Sequence, residues 1–179
     1  MTPVGTAYGE ALYSLCLEEK ITKSVLQQLQ VLQNSFAKEP DFIRLLASPA
    51  LSKEERCHVL DRSFRGKVHI YVLSFLKILT ENGYIRYFSD CSRHYQDLYN
   101  RDNGILPVTA VTAVALTQEQ RERLCRKLSA VTGKTISLTN QLDPSVLGGI
   151  RLDYDGHRVD DTVSHRLEAV RNLLNNTVL

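Results

Sequence analysis

A chain of 179 residues with 43% hydrophobic and 23% charged side chains can build its own core, as one ordinary domain or two small ones. That balance excludes a disordered, collagen-like or coiled-coil chain. The net charge of +2 excludes the basic footprint of a polyanion binder.

Taken in chain order, the first hundred residues read as helices. Apolar residues recur there every three to four positions, and breaks come at Lys20, Lys38-Glu39-Pro40, Ser48-Pro49, Arg65-Gly66 and Asn82-Gly83. The spacing predicts six helices over residues 4–18, 22–37, 40–47, 52–63, 67–81 and 84–101. Thr22 stands at the start of the second, and Ser52 with Glu55 makes a capping box for the fourth. Short connections between such helices predict an up-and-down bundle.

The composition changes after Asn103-Gly104: of the 13 Phe and Tyr residues, 12 lie before position 105 and only Tyr154 lies after it. Residues 1–104 are therefore expected to form a helical domain and residues 105–179 a small α+β domain. ILPVTAVTAVAL alternates and is rich in β-branched residues, so it predicts a strand. A helix over 117–131 follows, opened by Thr117 and Gln120. Strands are expected over 134–141 and 146–152, with a short fourth after Gly156 and a last amphipathic helix over 163–175.

Sites for chemistry are absent from the pattern. Gly133-Lys134-Thr135 has the tail of a phosphate loop, but Leu128 stands where the first glycine belongs, so the segment reads as a helix end before a strand. Asp153, Asp155, Gly156, Asp160 and Asp161 lack the closing glutamate of a calcium loop and read as a solvated hairpin. His58, His69, His94, His157 and His165 show no spacing that marks a catalytic base, and there is no GxSxG. Cys16, Cys57, Cys91 and Cys125 lie 34 to 41 residues apart without a CxxC, as expected of reduced thiols in a cytoplasmic protein. The opening MTPVGTAYGE has neither a basic nor an apolar leader region, and no apolar run reaches the roughly 18 residues of a membrane span. Arg121, Arg123, Arg126 and Lys127 alternate with Glu119 and Glu122 and read as a solvated helix face. No catalytic residue, cofactor or metal is expected.

An excess of apolar surface remains on two helices. IYVLSFLKIL is apolar around nearly its whole circumference, and the first helix carries Val4, Ala7, Tyr8, Ala11, Leu12 and Leu15 on one broad face. Gly5 and Gly9 beside that face are small enough to admit another helix closely. Together these helices predict a helix-binding groove, with Tyr8, Ala11, Leu12, Leu15, Phe75, Ile78 and Leu79 as its protein-binding residues.

The same residues belong to longer motifs. Tyr8-x-x-Ala11-Leu12, Phe75-Leu76-x-x-Leu79-x-Glu81-Asn82-Gly83, a strand ending in Leu116-Thr117, and Asp143-Pro144-Ser145-x-x-Gly148-Gly149 followed by Val-Asp-Asp-Thr-Val-x-x-Arg-Leu resemble the delta subunit of bacterial and chloroplast F-type ATP synthases, the relative of the mitochondrial oligomycin-sensitivity-conferring protein. After Asp160 that family carries glycine and serine where this chain has Asp161 and Thr162. Aspartate accepts a left-handed turn better than most residues, so the fold is expected to hold. The resemblance implies a non-catalytic subunit of the peripheral stalk at the cytoplasmic face of the bacterial cell membrane. Its N-terminal six-helix domain would bind the N-terminal helix of an alpha subunit near Tyr8, Ala11 and Ile78, and its C-terminal domain the b subunits. No nucleic acid or membrane span is expected. The rival is an RNA-binding antitermination-type bundle, which the near-zero charge opposes and a salt-titrated RNA-binding assay separates.

Overall fold

The computed structural model describes residues 2–163 and 165. The chain is mainly helical and divides into two compact units, residues 1–99 and 100–179. Six helices build the first: α1 (Pro3–Glu18), α2 (Thr22–Lys38), α3 (Pro40–Leu46), α4 (Lys53–Phe64), α5 (Ile70–Glu81) and α6 (Phe88–Asp102), whose last turn runs into the second unit.

Local chemistry sets the ends of these helices. Thr2 caps α1 by accepting the Gly5 amide, and its hydroxyl donates to Asp90 Oδ2 at 2.8 Å, fastening the start of α1 to α6. Ser52 and Glu55 close the expected capping box on α4. Two helices start later than their apolar spacing predicts. α5 begins at Ile70, because Lys67 and Val68 turn back onto the Phe64 carbonyl and His69 Nδ1 accepts the Tyr71 amide. Ahead of α6, residues Ile85–Tyr87 form a 3-10 turn.

Every helix contributes to one core, from Leu12 and Cys16 of α1 through Leu29, Leu46, Leu60 and Leu76 to Cys91 and Tyr95 of α6. Each fully buried leucine contributes about 2 kcal/mol. Tyr95 is wholly buried, meets Tyr13 edge-on at 5.2 Å and satisfies its hydroxyl by donating to the Thr22 carbonyl at 3.0 Å. Burial raises the pKa of Cys16 and Tyr95 and pushes the Cys91 thiol up to about 11, so both thiols are protonated packing groups at neutral pH. Gly5 and Gly9 serve this packing. A Cβ on Gly5 would lie 2.6 Å from the Asp90 Cβ, and one on Gly9 would lie 2.7 Å from the Cys91 carbonyl oxygen. The close approach they permit is between α1 and α6 of the same chain.

In the second unit β1 (Ile105–Thr112) runs parallel to β2 (Thr135–Leu142), joined through α7 (Gln118–Thr132). β3 (Arg151–Tyr154) and β4 (His157–Asp160) extend the sheet antiparallel, giving the order β2-β1-β3-β4. Asp155 and Gly156 make the β3–β4 turn with φ of 46° and 76°, the conformation that matches strand twist in a two-residue hairpin. α7 ends at Gly133, φ 68°, whose amide donates to the Ser129 carbonyl. Gly133-Lys134-Thr135 is therefore a helix end.

The third strand begins at Arg151 and not at Val146. Pro144–Val146 instead form a 3-10 turn, and Leu147 at φ 60° and Gly149 at φ 83° bend the chain back. Of the expected last helix over 163–175, Val163 and His165 are helical and Thr162 caps them by accepting the His165 amide at 3.2 Å; the rest lies outside the described residues.

Candidate functional site

The apolar surplus on α1 and α5 resolves into a groove of about 250 Å³ lined by Tyr8, Ala11, Leu12, Leu15, Tyr71, Ser74, Phe75 and Ile78. Each helix contributes a row at positions i, i+3, i+4 and i+7: residues 8, 11, 12 and 15 on α1, and residues 71, 74, 75 and 78 on α5. The second position of each row is short, Ala11 and Ser74, which keeps the groove open. Leu12 and Phe75, 5% and 6% exposed, form the floor, while Leu15 and Ile78 stand out at 40% and 46%. No carboxylate, ammonium or guanidinium lines it. Such a surface suits the apolar stripe of a helix and offers nothing to a charged small molecule.

Six of the seven residues expected from the sequence line this groove. The seventh, Leu79, is fully buried in the bundle core, since it sits one position beyond the row and turns inward. Tyr71 and Ser74 were missed, although the repeat that contains Phe75 and Ile78 extends to both. Tyr8 is positioned by two neighbours: its hydroxyl accepts from Asn82 Nδ2 at 3.2 Å, and its ring meets Tyr84 edge-on at 5.9 Å. Asn82 and Gly83 of the α5 motif thus end the helix and support the rim.

Two wider clefts beside α2, of about 380 and 580 Å³, carry charged rims at Lys67 and at Glu39 and Asp41. Size does not favour the α1/α5 groove. Its uncharged lining and its paired helical rows do.

The acidic motifs of the second unit are fastened internally. Asp143 Oδ1 accepts the Ser145 hydroxyl at 2.6 Å and the Ser145 amide at 3.0 Å, bonds that hold its carboxyl below the usual range. Hydrogen bonds from Thr162 do the same for Asp160. Arg158 lies 2.7 Å from Asp153 and lowers its pKa. Gly148 and Gly149 receive the segment that follows β4: the Gly148 carbonyl accepts the Val163 amide at 3.0 Å, and a Cβ on Gly149 would strike the Asp161 carbonyl oxygen. Asp161 keeps an ordinary negative φ, so no left-handed turn is needed there, and Thr162 supplies the helix cap. Among the described residues no group of His, Cys, Asp and Glu side chains has the arrangement of a metal site, and no helix is long and apolar enough to cross a membrane.

The class these features define is a mainly helical protein in two units, with an open apolar groove on the helical one. The family model for the ATP synthase delta (OSCP) subunit matches residues 4–174, and the chain belongs to that family. It is 30% identical over 171 residues to the ATP synthase subunit delta of Alkaliphilus oremlandii, covering 96% of this chain and 95% of that one. With the ATP synthase subunit delta of Clostridioides difficile the identity is 28% over 176 residues, covering 98% and 97%. Among solved structures, a chain of the Toxoplasma gondii mitochondrial ATP synthase hexamer superposes with a TM-score of 0.76 over 97% of this chain and 98% of that one, at 18% identity, which establishes a shared fold.

Proposed function

We propose that this protein is a non-catalytic coupling subunit in the peripheral stalk of an F-type ATP synthase, holding the catalytic head against rotor torque. On this reading it sits at the cytoplasmic face of a bacterial membrane without entering it. The α1/α5 groove takes the N-terminal helix of one alpha subunit, and residues 105–179 bind the C-terminal helical pair of the b subunits. The observation that carries the reading is the groove itself, an uncharged slot between two matched helical rows on a chain of the delta (OSCP) family. Helix-in-groove recognition concentrates its energy in a few anchors.

A synthetic peptide of the alpha N-terminus, titrated into the full chain by calorimetry, tests this. Ile78 is 46% exposed, so Ile78→Ala removes a contact without opening the core. Tyr8→Ala and Ala11→Asp alter the rim and the gap. Each is expected to cost about 2 kcal/mol of affinity, roughly thirtyfold, while melting like the parent. Unchanged affinity in all three folded variants moves the joint to another surface.

A further inference from the structure

The two edges of the sheet differ in a way that the groove reading does not use. β4 is a four-residue edge bearing His157, Arg158 and Asp160, the short, charged kind that discourages pairing. β2, the opposite edge, is eight residues long, reads TISLTNQL, and carries no charge and no proline. Its hydrogen bonding is readable from its ends. The Thr135 amide donates to the Gly104 carbonyl and the Asp143 amide to the Thr112 carbonyl, both at 2.9 Å, so the odd-numbered residues turn their backbone groups toward β1. The amides and carbonyls of Ile136, Leu138, Asn140 and Leu142 therefore point away from the sheet. Among the described residues the hydrogen bond made to this outward row comes from Arg121 Nη2 of α7, which donates to the Leu138 carbonyl at 3.3 Å.

We propose that the outer edge of β2 is a docking site for an extended, acidic segment of a partner polypeptide, added as a fifth strand. Backbone pairing supplies the register, as in other strand-addition complexes. The charge comes from Arg121, whose guanidinium reaches this outward row, and from Lys134 at the start of the strand, along an edge that bears no carboxylate of its own. A carboxylate-bearing strand meets these two cations, and Arg121, on leaving the Leu138 carbonyl, pairs with a carboxylate. A second copy of this chain paired edge to edge would set another Arg121 at the same seam, so charge disfavours β2-to-β2 pairing. The site lies wholly within the second unit and does not depend on the α1/α5 groove.

The test uses the full chain and a fluorescent ten-residue peptide alternating valine with glutamate and threonine. The expected result is saturable binding that falls at least tenfold when lysine replaces glutamate and vanishes when the peptide is N-methylated throughout. Leu138→Pro removes an outward amide while leaving the β1 ladder intact, and is expected to weaken binding at least tenfold. Hydrogen exchange on the unaltered protein gives a readout that no variant can confound. The amides of Ile136, Leu138 and Asn140 should gain protection with peptide, whereas those of Ser137, Thr139 and Gln141 are protected throughout. No saturable binding, equal binding of the lysine peptide, or protection without this alternation overturns the proposal. Self-association of the free chain that Leu138→Pro abolishes also overturns it, by giving the edge to a second copy.

Discussion

Glycine is used at Gly9 and Gly66 for different physical reasons. Gly9 has ordinary helical geometry, but a side chain there would press within 2.7 Å of the Cys91 carbonyl oxygen, a backbone atom that cannot rotate away. Gly66 has open space around it and a φ of 77° that a side chain disfavours. Gly9→Ala is expected to force α1 off α6 at a cost of about 2 kcal/mol or more. Gly66→Ala should cost only about 1 kcal/mol, from backbone strain alone. Urea unfolding of the two variants side by side checks the order, and equal midpoints would show that α1 shifts freely. Sequence alone marked Gly5 and Gly9 as places for a close approach. It could not say that the approaching helix is α6, because steric need is visible in the residue while the neighbour that imposes it lies about 80 positions away.

Helix ends carry their own short-range code. The pairs Ser52 with Glu55 and Thr117 with Gln120 were legible because a capping box is completed within four residues, and both close with reciprocal bonds: Ser52 N to Glu55 Oε2 at 2.8 Å and Thr117 N to Gln120 Oε1 at 2.9 Å. Ser52→Ala should destabilise the bundle by about 1 kcal/mol and Ser52→Gly by only a few tenths, measurable as shifts in thermal midpoint. No loss in Ser52→Ala would mean that the hydroxyl is not what holds α4. Starts decided by longer-range partners were not legible. Apolar spacing runs on through Lys67 and Val68, yet α5 waits for His69, whose amide donates to Gln28 Oε1 of α2 at 2.7 Å. The third strand was misplaced for a similar reason: Val146 looks like strand but is buried at 4% exposure in the turn that leads to Gly149.

At the scale of the molecule, the division into compact units falls between Tyr99 and Asn100, inside the last turns of α6. Tyr95 is wholly buried and Leu98 and Tyr99 pack on the helical core, so a fragment of residues 1–103 retains every core side chain of the bundle. It is expected to fold alone, with a helical far-ultraviolet spectrum and cooperative melting, and to bind the alpha peptide as the full chain does while losing the b subunits. An unfolded fragment would show that the bundle depends on the second unit. Undiminished capture of b would reassign that joint to the helices.

Periodicity, caps and turn residues determined the order and type of every described helix and strand, since each of those signals closes within a few residues along the chain. They also determined six of the eight side chains that line the groove, because an i, i+3, i+4, i+7 row is a local property of a helix. Only the tertiary structure decided that Leu79 turns into the core and that Gly149 makes room for the Asp161 carbonyl. It alone exposed the contrast between the short, charged β4 edge and the long β2 edge that no described strand covers, because a strand's place in the sheet is set by hydrogen bonds between distant segments.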